Sequence, residues 1–152
     1  MQIIGFNLTK ISASKNEELK NTTIGTNMEF IDLEKTKLEF LKDKETFKVN
    51  FQFSVDYQDQ ESRAKSKGKD KETQAEINFE GNVAILVADE EAKELTKSWK
   101  KKELPSALRV FLFNFIIKKC SSHALMLQDQ LNLPTHIQIP QIVPKQQIQE
   151  VK

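Results

Sequence analysis

One cysteine and two histidines are all the soft ligands the 152-residue chain has. An internal disulfide is impossible, which points to a reducing compartment. A zinc finger or zinc ribbon lacks its ligand set. Glycine is scarce: the 4 glycines form neither GxGxxG nor GxxxxGKS/T, so the familiar phosphate-cradling loops are missing. Charge of one sign is not in excess. Lysine plus arginine number 23 and aspartate plus glutamate 22, for a net charge of +1, which argues against a dedicated nucleic-acid binder. The most apolar run, Val110–Ile117, is closed by Arg109 and by Lys118 and Lys119. It falls short of the roughly 20 residues of a membrane span. The start, MQIIGFNLTKIS, has no basic region and no continuous apolar segment of the signal-peptide kind. These absences predict a cytoplasmic protein with no membrane insertion. The length fits one domain able to bury roughly 70% of its unfolded surface.

What is present is alternation. In FKVNFQFSVDY, Phe47, Val49, Phe51, Phe53, Val55 and Tyr57 share one face. In AEINFEGNVAILV, Ala75, Ile77, Phe79, Val83, Ile85 and Val87 do the same. Their neighbours are mostly polar, so both read as antiparallel strands with one buried and one wet face. Gly81 falls on the apolar face, where a helix or ligand is expected to approach the backbone. Residues 2–12 give another strand through Ile4, Phe6 and Leu8, followed by a polar loop over 13–23. Residues 27–34 give a fourth with poorer alternation: Met28 and Phe30 face one way, Ile31 and Leu33 the other. That strand is either covered on both faces or bulged. The KDKE tip of residues 42–45 reads as a turn, and the polar segment 58–73 as a solvated hairpin tip.

Asp89 is placed as the N-cap of a helix carrying Ala92, Leu95 and Trp99 at helical spacing, with acidic residues leading and lysines trailing. Pro105 opens a second helix in its first turn, expected to run to Leu131, where Asn132–Leu133–Pro134 ends it. The run VFLFNFII is apolar nearly all round, more than one sheet face can cover, so a second subunit is expected there. The tail THIQIPQIVP reads as an extended strap that docks through Ile137, Ile139, Ile142 and Val143. The whole predicts an α+β fold, a four-stranded antiparallel sheet packed on one long helix. Residues 1–144 form a single domain and 145–152 a polar tail.

Catalytic and cofactor chemistry find little support. Cys120 and His123 share a helical face, but only His136 remains as a further soft ligand, so no metal is expected. Ser121, Ser122, His123 and Asp129 lack the elbow and oxyanion glycines of a hydrolase. No enzyme and no cofactor is expected. Trp99 beside Lys100, Lys101 and Lys102 allows a stacking clamp for single-stranded nucleic acid, against the reading of a basic helix end. Ten phenylalanines stand out. Phe111, Phe113 and Phe115 point in different directions on one helix, so some of them are expected to meet another subunit or a client.

The order of elements resembles that of the SecB export-chaperone family and its SecB-like relatives. Three segments carry the likeness: AEINFEGNVAI (75–85), LPSALRVFLFNFIIKKCSS (104–122) and LNLPTHIQIPQI (131–142). The resemblance implies a non-catalytic holdase that binds unfolded, export-destined or antitoxin-like chains in an apolar groove. It also implies a homodimer or homotetramer, with translocation machinery as a possible partner. Family members' wet sheet face is acidic, whereas here Lys48 joins Asn50, Gln52, Ser54 and Asp56. Client binding is assigned to Trp99, Phe111, Phe115, Leu95 and Phe30, and the subunit interface to Val110, Phe113, Ile117 and Ile116. The rival readings are an oligomeric adaptor or scaffold and, behind it, a single-stranded nucleic-acid-binding module.

Overall fold

The computed structural model describes residues 1–16, 19, 21–36, 44–59 and 73–144. The hairpin tip of 60–72, the first half of the KDKE turn and the 145–152 tail lie outside the described residues. The elements are β1 (Gln2–Lys15), β2 (Thr22–Thr36), β3 (Lys44–Asp59), β4 (Thr73–Ala88), α1 (Asp89–Trp99) and α2 (Ser106–Gln130). The strands form one antiparallel sheet in the order β1-β4-β3-β2. β2, β3 and β4 follow one another as neighbours, and β1 lies beside β4, a Greek-key order.

The two central strands are the ones whose alternation is cleanest. Every apolar residue named above on β3 and β4 is buried, none above 3% exposure. The edge strands are longer than alternation suggests, because pairing partners rather than their own polar residues define them. β1 continues through Ser14 and Lys15, opposite Glu76 and Ala75, and β2 begins at Thr22, opposite Asp59. Both edges are bulged. In β2 the register shifts between Phe30 and Asp32, which turns Ile31 outward and returns Leu33 to the face of Met28 and Phe30. In β1 shifts at Ile3/Gly5 and Leu8/Lys10 give an inward set of Ile3, Phe6 and Leu8, so Ile4 is exposed and not the core residue alternation made it.

Gly81 admits a neighbour, and that neighbour is β1 rather than a helix or ligand. A Cβ there would lie 2.3 Å from the Asn7 carbonyl oxygen, 3.2 Å from Leu8 Cα and 3.0 Å from the Phe51 ring. The gap lets Phe51 lean across β4, where the Phe6 ring stacks on it with centroids 5.8 Å apart.

α1 starts one residue earlier than expected. Ala88 occupies the N-cap with no side-chain cap, and Asp89, Glu90 and Glu91 fill the first turn, favourable to the helix dipole. α2 starts one residue later than expected, with Pro105 as its N-cap rather than in its first turn. Both helices end in Schellman motifs without glycine. Lys102 at φ 59 is followed by Glu103, whose N–H donates to the Ser98 carbonyl. Asn132 at φ 52 is followed by Leu133, whose N–H donates to the Gln128 carbonyl at 2.8 Å.

α2 lies on the apolar sheet face through one narrow row, Leu112, Ile116, Cys120, Ala124 and Gln128, spaced by four. By length and hydropathy this helix reaches what a membrane span needs, a property shared by core helices of soluble proteins. The short run Val110–Ile117 understated it, because Cys120, Ala124, Leu125, Met126 and Leu127 extend the apolar stretch.

Candidate functional site

Four-residue spacing sorts α2 into rows. The Leu112 row faces the sheet. The opposite row, Val110, Asn114, Lys118, Ser122 and Met126, is exposed along its length. Between them run two flanks, one holding Phe113, Ile117 and Ser121, the other Phe111, Phe115 and Lys119. Each flank reaches a different edge of the sheet. Phe113 meets Phe30 of β2 edge to face, with centroids 5.2 Å apart. Phe115 meets Phe6 of β1 edge to face at 5.7 Å. Two of the three helical phenylalanines thus find partners in the same chain. Phe111 forms no ring pair among the described residues and stays 47% exposed.

The rings do not close the flanks. Phe6, Phe30, Phe113 and Phe115 remain half-buried. Around them Ile11 on β1, and Val110, Ile117 and Met126 on α2, are 40–56% exposed. One helix over four strands therefore leaves an apolar strip along each side. The expected site residues divide among four places. Phe115 lies on the β1 flank and Phe30 on the β2 flank. Leu95 and Phe111 line a cleft of about 360 Å³ between α1 and the start of α2, together with Met1, Val87, Pro105 and Leu108, with Glu91 and Glu94 also on its wall. Trp99 sits half-buried at the α1–α2 corner, with Lys102 Nζ 5.3 Å from its ring centroid.

Two assignments need correction. Leu95 is only 1% exposed, so it forms the floor of the cleft as a core residue and offers little area to a visitor. Ile116 is fully buried under α2, in the row facing the sheet, and cannot reach a second subunit. Val110 and Ile117 are exposed, whereas Phe113 is engaged with Phe30.

Sequence reasoning missed a polar clasp at the far end of α2. The Tyr57 hydroxyl donates to the Pro134 carbonyl at 2.6 Å and accepts from Gln128 Nε2 at 2.8 Å. Gln128 is fully buried, and its Nε2 lies 3.1 Å from His136 Nδ1. His136 Nε2 lies 3.2 Å from Ser121 Oγ, and the His136 ring meets Phe53 edge to face. Burial raises the Tyr57 pKa, with the Gln128 hydrogen bond opposing, and burial lowers that of His136. The clue in the sequence was a glutamine in register with the buried row. The clasp holds only the beginning of the strap. Ile137, Ile139, Ile142 and Val143 are exposed, Ile142 completely, so the expected docking of these residues on their own chain is not seen.

For chemistry, the site offers little. Burial pushes the Cys120 thiol up to about 11, the condition of an inert core cysteine. His123 faces the Phe79 ring. Among the described residues no group of three His, Cys, Asp or Glu side chains is placed to hold a metal ion.

No protein-family model and no curated protein sequence matches the chain. Among solved structures it is similar to the SecB-like chaperone Rv1957 of Mycobacterium tuberculosis, in complex with a ChAD peptide from the Rv1956 HigA1 antitoxin. The TM-score is 0.54 at 17% identity, over 94% of this chain and 91% of that chain. The fold is therefore SecB-like.

Proposed function

We propose that the chain is a SecB-like holdase, which binds unfolded, export-destined or antitoxin-like polypeptides without catalysis, in the cytoplasm, as a homodimer or homotetramer. The observation that carries this reading is the pair of apolar strips along α2. Aromatic rings there are preorganised by edge-to-face contacts, yet remain half open to water. Such surfaces bind many sequences through area and shape, with few directional demands. The SecB-like neighbour carrying a bound antitoxin peptide supports client binding as the use of this fold. No nucleotide is needed, since holding requires only that contacts with the unfolded chain compete with that chain's self-association.

The test is suppression of aggregation of a chemically unfolded model protein, with oligomer mass measured in parallel and the emission of the single tryptophan, Trp99, as a reporter. Suppression at near-stoichiometric ratio is the expected result. A well-folded protein that leaves aggregation unchanged refutes the proposal.

The scaffold reading rests on one observation, the exposed outer side of α2, where Val110 and Ile117 are available to a second copy. It is preferred if Val110→Glu dissociates an oligomer that never held a client.

A further inference from the structure

We propose that the strap after α2 is a built-in competitor for the strip on the β2 side. Its isoleucines, Ile137, Ile139 and Ile142, close over Phe30, Phe113 and Ile117, and an unfolded chain displaces them to bind there. The inference rests on the holdase reading and adds a regulation to one of the two strips. The strip on the β1 side has no such occupant and is the ungated one.

The clasp aims the strap at that strip. The Pro134 carbonyl accepts from Tyr57, whose partner on β2 is Ile24. Two residues on, the His136 ring meets Phe53, whose partner is Met28. The next inward pair in the same direction is Phe51 with Phe30, and Phe30 carries the Phe113 ring. The helix gives the same heading. His136 lies against Ser121, which shares its row with Ile117 and Phe113, about 6 and 12 Å further back along α2. From Ile137 to Val143 an extended chain spans about 19 Å, enough to pass both.

The structure shows the open arrangement, with both apolar surfaces in water. Ile139 and Ile142 are 55% and 101% exposed, and Ile117 is 40% exposed. The chain bends at His136 and Ile137, where the Thr135 hydroxyl donates to the Ile137 carbonyl at 2.8 Å. Beyond that bend, among the described residues, no backbone hydrogen bond fixes 138–143. Closure therefore breaks no ladder, and it removes apolar area of both surfaces from water. The short tether holds strap and strip at an effective concentration of about millimolar or more. Pro140 and Pro144 bias Ile139 and Val143 to extended backbone, so less freedom is lost on closing.

Two measurements on the full chain test the inference, and the first needs no client. Ile139→Cys combined with Ile117→Cys should form an intramolecular disulfide under mild oxidation. Ile139→Cys combined with Ile11→Cys, on the β1 side, should not. The native Cys120 is buried and does not compete. Equal yields from the two pairs, or no disulfide from the first, overturn the inference. The second measurement is the anisotropy of fluorescein-labelled, reduced and carboxymethylated α-lactalbumin as the unfolded probe. Ile139→Ser combined with Ile142→Ser should bind it about fivefold tighter than the unaltered chain, the change expected if the strap is closed about four-fifths of the time. The disulfide-closed protein should bind more weakly than the same protein after reduction. Unchanged or weaker binding by the serine variant overturns the inference, because the strap then competes with nothing or helps to hold the client. If the inference fails while the unaltered chain binds the probe, the holdase reading stands. If no form of the protein binds the probe, both fall.

Discussion

The Tyr57 hydroxyl is the part of this molecule whose removal has the most calculable consequence. Tyr57→Phe deletes one oxygen and leaves the buried ring in place. The oxygen donates to the Pro134 carbonyl at 2.6 Å and accepts from Gln128 Nε2 at 2.8 Å. Each bond is worth about 1 kcal/mol net, and leaving a buried partner short adds to that. Gln128 is fully buried and retains His136 within 3.1 Å, so its amide is weakened rather than orphaned. The total is about 2–3 kcal/mol. In urea, with a slope near 2 kcal/mol/M, the midpoint should fall by about 1 M with the slope unchanged. Protein concentration must be held fixed, because any subunit association contributes to the measured stability. Hydrogen exchange supplies the local readout. The Leu133 amide, bonded to the Gln128 carbonyl at 2.8 Å, should lose protection before the central strands do. A midpoint shift below about 0.2 M, with Leu133 protection intact, refutes the assignment of Tyr57 as the clasp of the strap.

Gly81→Ala should cost about 2–3 kcal/mol by thermal or urea unfolding, because the added carbon meets the Asn7 carbonyl oxygen, a backbone atom, at 2.3 Å. Burial holds the His136 pKa below its ordinary value of 6.5, so the unfolded chain binds the proton more readily. Stability present above about pH 6.5 should therefore decline as pH falls through that value, and His136→Asn should flatten this part of the urea midpoint profile. With its pKa raised to about 11, the Cys120 thiol should resist Ellman's reagent at pH 8 in the folded protein and react at once in denaturant. Phe111, 47% exposed, should lose about tenfold in client affinity on Phe111→Ala while the unfolding midpoint moves little.

The sequence was most readable where each residue's surroundings are set by its own strand. Phe47–Tyr57 and Ala75–Val87 alternate because α2 covers one face of the two central strands, and both faces were assigned correctly. At the edges, alternation misled. Three bulges each insert a residue, so Ile4 and Ile31 point away while Ile3 and Leu33 point in. A bulge at Ile31 was one of two readings the pattern allowed, whereas nothing in MQIIGF distinguishes Ile3 from Ile4. The starts of both helices and the end of α2 were legible to one residue, although asparagine holds the left-handed position glycine usually takes there; α1 ends at Trp99, short of the lysine run the pattern had included. The site was less legible. Spacing showed that Phe111, Phe113 and Phe115 diverge, but not that two would find Phe30 and Phe6 on opposite edges of one sheet. That pairing depends on strand order, a long-range property. The clasp was hidden for the same reason, since Tyr57, Gln128 and His136 are separated by most of a strand, a crossover and a helix.

The open flanks follow from the dimensions of the fold. Four strands at about 4.8 Å span about 14 Å between the outer axes, and side chains widen the apolar face further. A helix is about 10 Å across, so a single one centred on the sheet covers two strands and no more. The burial pattern agrees, with β3 and β4 sealed and the inward residues Ile3, Phe6, Met28, Phe30 and Leu33 of β1 and β2 half-buried. In a two-layer domain the apolar face of a sheet is buried against another layer. Here the other helix among the described residues, α1, is 11 residues long and buries just Ala92 and Leu95. The uncovered area is thus built into the topology, and it borders aromatic rings that are already oriented. Water covers these strips at a free-energy cost proportional to their apolar area, so any apolar chain that displaces it is favoured. A permanent partner would leave a silent scaffold. A reversible one, held by area on both sides of α2, is what a holdase requires.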